Sequence, residues 1–494
     1  MRLKPLNNVE LPFKRLFQPK NIMIYEISPK SSFFIDGLIR QGFDNNNLYL
    51  VSPKLDVING IKCYKSVNNI PSDSIDLVIF SVRREHVLEK IKEILDLKKV
   101  KFFHIFTAGT GEADEIGVEI EKELKKILSQ YRETRAIGPN CMGVYCPRGK
   151  NAYYGSFPIE LGNIGLIFQS GDLHSRFIKF GSKKYNLRFS KGVSIGNCID
   201  IQISEMIEFF NKDKDTELIC VYQEGFSPFY SKEGRRLFNV LKKVEKPVLY
   251  MRGGKTARGQ IAVLTHTGSL VSDQEIWKAL FKQTTVIETS SSLDDIIEHA
   301  YMFCHHIAQW KKRDYKISYP THKRALVILW SGGFGILATD LLTELGIELP
   351  HFTGEKLRRL KEIYPAIIGS LENPFDLPWI NSKKEFLEVC TAAIDEDIDL
   401  IIVETDAWRD QDSKRFLDYY YNLIQIKKYA EDLGKIFVII LHEYPSESRK
   451  LFYEKLINDN FLVYPTIQAA AKSFLKLYNY GEKLRNKQGK QILL

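Results

Sequence analysis

The sequence predicts an α/β protein of three parallel-sheet domains, and three observations predict it. Short apolar runs alternate with helical stretches almost throughout, the pattern of parallel strands joined by crossover helices. The 494 residues suggest about three domains at ~150 residues each. The composition, 44% hydrophobic and 27% charged, is that of an ordinary globular chain able to bury several cores.

The first unit offers strands at Asn21–Ile27, Leu48–Val51, Asp76–Ser81, Lys101–Thr107 and Arg135–Ile137, with helices at Glu85–Leu97 and Glu112–Tyr131. The second starts near Gly149, with strands at Ile164–Phe168, Leu218–Tyr222 and Val248–Met251. The basic segment Gln309–Arg324 reads as a linker. The third opens with the strand ALVILW, the turn SGGFG and the helix ILATDLLTEL, closed by Gly346, with further strands at Leu400–Glu404 and Ile436–Leu441. Domain limits of 1–148, 149–312 and 313–494 follow.

The net charge of +9 is spread along the chain and suits acidic small molecules or an acidic partner. No dense Lys/Arg tract with interleaved aromatics is present, which argues against nucleic acid. Seven cysteines, odd in number and without C-x-x-C spacing, point to a reducing compartment with neither a disulfide frame nor a zinc knuckle. Cys304-His305-His306 has no second ligand pair at zinc spacing and reads as a helix end, so no metal is expected. The basic N-terminus lacks the apolar core of a signal peptide, and no run of ~18 apolar residues exists, so a cytoplasmic location is expected. Phosphate-loop, kinase and nucleophile-elbow motifs are all missing.

Four places can carry chemistry. In IGLIFQSGDLHSRFIKF (Ile164–Phe180) a strand runs through Gln169, Ser170 and Gly171 into a helix. Leu326–Leu345 repeats the design with Ser331-Gly332-Gly333 at the turn. Such units aim backbone N–H groups and the positive helix end at an anion; they also serve as plain βα turns, where glycine answers a steric need. Glu224, just past a strand end in VYQEG, is either an orienting partner for an imidazole or a turn glutamate. His266, in IAVLTHTGSLVSD, is either a capped loop histidine or a nucleophile for a phosphoryl group, with Thr265, Thr267, Gly268 and Ser269 leaving room for it. Arg258–Ser272 reads as a long mobile loop, and the following S-D-Q-E, from Ser272, as a capping box.

The ordered set of these stretches resembles a known family. IGPNCMGVYCP (Ile137–Pro147), QSGDL (Gln169–Leu173), SIGNCID (Ser194–Asp200), YQEG (Tyr222–Gly225) and THTGSL (Thr265–Leu270) look like the NDP-forming acyl-CoA synthetases, the superfamily of succinyl-CoA synthetase and ADP-forming acetate–CoA ligase. GGFG with Asp340, ENPFDL (Glu372–Leu377) and Tyr464-Pro465 resemble that family's extra domain. The resemblance implies a CoA-binding Rossmann-like domain, a ligase domain with a phosphorylatable histidine, and a flavodoxin-like third domain, as in the α subunit of acetate–CoA ligase. The implied reaction converts acyl-CoA, phosphate and ADP into acid, CoA and ATP through an acyl phosphate and a phosphohistidine.

By motif match, His266 is the implied phosphate carrier and Glu224 its orienting carboxylate. Gln169, Ser170, Gly171, Gly332 and Gly333 are the implied phosphate cradle, and Asn140 and Cys141 the acyl pocket. Lys54, Ala108, Gly109 and Glu112 are implied for CoA, with Arg83 and Arg84 adding positive charge. Nucleotide (ADP or ATP) and Mg are expected on a separate ATP-grasp β subunit, because this chain has no spare length for one. Two positions depart from the pattern: Glu26-Ile27 stand where glycine and alanine are usual, and Asp172 where a small neutral residue is usual. Both favour a second reading, a non-catalytic paralogue that binds acyl-CoA or a partner. The domain after the histidine speaks against a third, succinyl-CoA synthetase proper.

Overall fold

The computed structural model describes residues 13–27, 32–267, 273–313, 316–365, 369–378, 380–406, 408 and 410–492. They form two compact units, Met1–Ile297 and Glu298–Leu494. The first unit holds two sheets and the second holds one.

In chain order the first sheet is built from α1 (Lys14–Phe17), β1 (Ile22–Tyr25), α2 (Phe33–Gln41), β2 (Leu48–Val51), β3 (Val57–Ile58), β4 (Ile61–Tyr64), β5 (Ser74–Phe80), α3 (Val87–Leu97), β6 (Lys99–Ile105), α4 (Glu115–Gln130) and β7 (Arg135–Ile137). Its strand order is β3-β4-β2-β1-β5-β6-β7. Every pairing is parallel except the β3–β4 hairpin. Asn59 and Gly60, both at positive φ, close that hairpin as a two-residue turn. Val78, Phe80, Phe103 and Ile105 of the central strands pack with Ile91 and Ile94 of α3 and with Leu124 and Ile127 of α4 in one core.

The second sheet uses β8 (Gly143–Tyr145), β9 (Leu161–Phe168), α5 (Gly171–Tyr185), β10 (Phe189–Ser194), α6 (Ile203–Lys212), β11 (Leu218–Gln223), α7 (Glu233–Lys243), β12 (Val248–Arg252), α8 (Ala257–Thr267), α9 (Gln274–Gln283) and β13 (Ile287–Glu288), in the order β13-β12-β11-β9-β10-β8. Helix α10 (Leu293–Lys311) follows. The third sheet, with β14 (Ala325–Leu329), α11 (Gly332–Glu344), α12 (Gly354–Ile363), β15 (Phe375–Asp376), α13 (Lys384–Ala393), β16 (Leu400–Glu404), α14 (Lys414–Asp432), β17 (Ile436–Ile440), α15 (Glu447–Asn458), β18 (Leu462–Tyr464) and α16 (Ile467–Ile492), is all parallel in the order β15-β14-β16-β17-β18.

Each sheet reverses its strand order at its first parallel strand: β1 lies between β2 and β5, β9 between β11 and β10, and β14 between β15 and β16. Open parallel sheets bind ligands at the carboxyl end of such a switch strand. The residues placed there are Glu26, Gln169-Ser170-Gly171, and Trp330-Ser331-Gly332.

Several expectations are corrected. The expected loop over Arg258–Ser272 is instead helix α8 across Ala257–Thr267, started by Thr256, whose hydroxyl accepts the Gly259 N–H at 3.1 Å. Helix formers such as Ala257, Gln260 and Ala262 supply the propensity, while the exposed Ile261 blurs the apolar period that would have announced it. Helix α9 is capped by Asp273, accepting the Glu275 N–H at 2.8 Å, and Ser272 lies outside the described residues. Gln309, expected in a linker, belongs to α10 and donates to the Lys435 carbonyl. The imidazoles of His305 and His306, also on α10, meet the carbonyls of Asn460 and Ser318. Among the described residues no helix is long and apolar enough to cross a membrane.

Candidate functional site

A cavity of about 470 Å³ lies in the first unit where strand ends of its two sheets converge. Ser81–Arg84 follow β5, Phe106–Ala108 follow β6, Asn140–Met142 follow β7, Gln169–Asp172 follow β9, and Gly196-Asn197 follow β10.

Ser170 caps α5, its hydroxyl accepting the Leu173 N–H at 3.3 Å. Helix geometry leaves the Gly171 and Asp172 N–H groups without intrahelical acceptors, an anion-ready end. Glycine is required at 171, because a Cβ there would fall 2.3 Å from Met142 Cγ. Asp172 is 67% exposed on its side chain and is bound by Arg176 Nε at 2.7 Å, which turns its charge from the helix start.

Gln169 is buried, and its side-chain amide has defined partners. Oε1 accepts the backbone N–H groups of Glu224 and Gly225, and Nε2 points at Cys198 Sγ. Gln169 therefore fixes the turn that carries Glu224. That carboxylate, on a residue only 8% exposed, receives the Tyr222 hydroxyl; Tyr222 loses acidity first through burial and then through the Glu224 charge.

On the facing wall, Asn140 takes a positive φ of 58° and its N–H donates to the Thr107 carbonyl. Cys141 is buried with its thiol on the Ile105 carbonyl, and burial pushes that thiol well above its ordinary value, so it is held as a neutral lining group. His104 Nε2 meets the Cys141 carbonyl at 3.0 Å; burial pushes the imidazole down to about 4 and keeps it neutral. Arg84 is committed to the Gly109 carbonyl and to Asp114 at 2.8 Å. Arg83 is exposed and, among the described residues, has no acidic partner.

Of the residues singled out from sequence, Ala108, Asn140, Cys141, Gln169, Ser170 and Gly171 line this one cavity, together with Arg83 and Arg84. Lys54 is exposed in the loop after β2 and is not part of the lining. Gly109 and Glu112 stand behind it, with the Glu112 carboxylate accepting from Gly109 N, Thr110 Oγ1 and Asn197 Nδ2. Gly332 and Gly333 start α11 in the second unit. There Ser331 makes no side-chain cap, and Asp376 Oδ2 stands 3.1 Å from where a Cβ on Gly332 would be. The backbone of His266 is in the last turn of α8; its side chain, those of Thr265 and Thr267, and all of Gly268 and Ser269 lie outside the described residues.

Comparison with known proteins adds to this geometry. The family model described as a CoA binding domain matches residues 27–147, and that of a succinyl-CoA ligase-like flavodoxin domain matches 161–303. The α subunit of ADP-forming acetate–CoA ligase I from Pyrococcus furiosus is 31% identical over 387 residues, covering 76% of this chain and 79% of its own length. The chain belongs to the ADP-forming acetate–CoA ligase family. ADP-forming acetate–CoA ligase I of Archaeoglobus fulgidus is likewise 31% identical, over 79% of this chain but 54% of its own length, so the chain spans about half of that longer relative. An acetyl-coenzyme A synthetase from Ca. Korarchaeum cryptofilum, described as dinucleotide forming and solved with phosphate and ADP, has the same fold. Its TM-score is 0.77 at 24% identity, over 96% of this chain and 98% of its own.

Two residues that sequence reasoning did not single out complete the site in this family member. Met142 packs against Gly171, and Asn197 joins the two walls. Asn197 stands inside the SIGNCID stretch, so the signal was in view; its partners, far along the chain, were not.

Proposed function

We propose that this chain is the α-like subunit of an ADP-forming acyl-CoA synthetase of the acetate–CoA ligase type. The carrying observation is the shared cavity, with the start of α5 on one side and the ends of β5 and β6, from the matched CoA-binding region, on the other. Phosphate bound by the Gly171 and Asp172 N–H groups attacks the acyl carbonyl. The carbon–sulfur bond breaks, CoA leaves as thiolate and takes a proton, and an acyl phosphate remains. His266 then attacks phosphorus and releases the acid. Glu224 holds the imidazole tautomer that leaves one nitrogen free, within a turn set by Gln169. Phosphoryl transfer depends mainly on positioning and charge stabilisation, which helix starts supply.

Asn140 and Cys141 line the acyl end, and Ala108 with Arg83 the CoA end; Gly109 behind the lining and Lys54 outside it complete the proposed CoA contacts. One feature of the cavity fits CoA: Arg83, which has no acidic partner among the described residues, suits its phosphates. Gly332 and Gly333 are the proposed second phosphoryl contact, where the group displaces Asp376 from the start of α11. The phosphohistidine passes its group to ADP, with Mg, on a separate ATP-grasp subunit in a cytoplasmic hetero-oligomer. The domain limits of 1–148, 149–312 and 313–494 belong to this reading.

One observation favours a second reading, binding without turnover. Glu26, at the end of switch strand β1, holds a φ of 53°, a conformation glycine adopts freely. One assay separates the two. The complex purified from its native source is supplied with acetyl-CoA, phosphate and Mg-ADP, and free thiol and ATP are followed. Their appearance in equal amounts, dependent on phosphate, is the expected result. CoA binding without ATP from any acyl-CoA tested would favour the second reading.

A further inference from the structure

A second cavity, of about 610 Å³, opens in the first unit between α7 and α9 and shares no lining residue with the first. Its walls are apolar: Phe226 and Tyr230 from the loop after β11, Phe238 from α7, and Ile276, Trp277 and Leu280 from α9. The floor is fixed. The Trp277 ring stacks on Phe226 at 5.8 Å and 10° and on Phe281 at 5.7 Å, and the Arg252 guanidinium stands 4.7 Å from its centre. Arg252 is itself held by Glu288 and Gln274. The loop wall is fixed too: Lys125 lies 3.8 Å over the Tyr230 ring and donates to the Phe229 carbonyl at 2.7 Å. A preformed apolar hollow of this size is the usual form of a small-molecule site. Ile276 is left 63% exposed beside it, apolar surface that an occupant would remove from water.

Size and charge narrow the occupant. The α9 wall runs from Ile276 to Gln283, about 10 Å of helix. That is the length of a small molecule, whereas a stable protein interface covers about 800 Å² on each side. Among the described residues, Arg235 is the only charged one in the lining. Its neighbour on α7, Arg236, turns to Glu205 at 3.6 Å and Glu208 at 4.0 Å. Arg235 is exposed and has no acidic partner among the described residues. The nearby acids are engaged elsewhere: Glu233 accepts the Ser204 N–H at 3.2 Å, and Glu275 pairs with Lys278 at 2.7 Å. One unpaired cation beside apolar walls suits an anion of single charge with an apolar body. CoA and nucleotides bring several phosphate charges and polar bodies, which this lining does not match. A guanidinium takes a carboxylate in two parallel hydrogen bonds, and the ring-lined walls take a body much larger than a methyl group.

We propose that this cavity is a second ligand site, for an apolar monocarboxylate: the carboxylate pairs with Arg235, and the body lies between α7 and α9 against Phe226 and Phe238. Phe226 is two residues beyond Glu224, so the ligand seats beside the turn that Gln169 fixes.

Calorimetric titration tests this with naphthalene carboxylate and its neutral isostere, naphthalene carboxamide, on the full chain and on the complex purified from its native source. Both preparations are expected to bind the carboxylate about fivefold more tightly than the carboxamide, the effect of one exposed ion pair. Arg235→Gln is expected to bind the carboxylate only as tightly as the carboxamide, whose own affinity stays unchanged. Gly234→Leu fills the cavity and is expected to bind neither; a Cβ at Gly234 meets Phe226 at 3.7 Å, an ordinary contact, so this variant keeps the fold. Carboxylate binding that both variants leave unchanged seats the acid elsewhere and overturns the proposal. Equal affinity of wild type for the two probes, or no heat at millimolar concentration, overturns it too. Binding by the free chain that the complex lacks shows a partner subunit covering the cavity, and overturns the ligand site as well.

Discussion

Two strand–turn–helix units share one sequence design and differ in what stands at the helix start. After β9, Ser170 caps α5 through its hydroxyl, and Asp172 is drawn aside by Arg176. After β14, Ser331 caps nothing, and the Asp376 carboxylate lies beside Gly332. The first turn offers its N–H groups to a cavity, whereas the second has an anion of its own chain next to them. Ser-Gly before a helix is therefore a permissive pattern. The residues that decide its use, Arg176 one turn on and Asp376 more than forty residues on, come from outside it.

The largest expected difference between the two turns is in acid. His174 on α5 is wholly buried, with Nδ1 on the Tyr153 hydroxyl, and burial pushes it down to about 3. Its folded value lies below the ordinary 6.5, so the unfolded chain takes the proton first and stability is lost as pH falls through 6.5 toward 3. Between pH 7.5 and 4.5 this one histidine withdraws about 3 kcal/mol from α5. Hydrogen exchange corrected for intrinsic rates should show α5 amides losing protection over that range while those of α11 hold. Equal loss in both helices would remove the distinction.

Next in size is a methyl group. Gly171→Ala drives a Cβ into Met142 and displaces the turn, and kcat/KM for phosphate is expected to fall about 10²-fold. Gly332→Ala meets only a rotatable carboxylate oxygen at 3.1 Å, and folding stability is expected to change by no more than about 0.5 kcal/mol. Steady-state kinetics of the complex and urea unfolding read the pair.

The smallest contrast is in the caps. Ser170→Ala should cost about 1 kcal/mol in urea unfolding, the usual loss of a helix cap, and Ser331→Ala close to nothing, since no side-chain bond is removed there.

Much of the fold was legible. Leu48–Val51 and Arg135–Ile137 were read at their observed limits, because each is a clean apolar or alternating run closed by turn residues. Strand β10 was missed. Its sequence, FSKGVS, is wholly buried yet carries Ser190 and Lys191, and only the fold supplies Thr216 and Asp213 to satisfy them. The β3–β4 hairpin was missed despite an Asn-Gly turn, since its strands are two and four residues long. In the site, residues grouped by motif came together around one cavity. What sequence could not show was direction: that the Gln169 amide faces Glu224, and that Glu112 faces Asn197. Those contacts join residues 55 and 85 positions apart.

The central claim, that His266 carries the phosphoryl group, is tested most directly by mass. The complex from its native source is incubated with Mg-ATP and quenched in alkali, which preserves phosphohistidine. The intact mass of this chain is then compared between wild type and His266→Asn. The account predicts one added phosphate on the wild-type chain and none on the variant. An unmodified wild-type chain beside an active nucleotide-binding partner, or a phosphate retained in the variant, would contradict it.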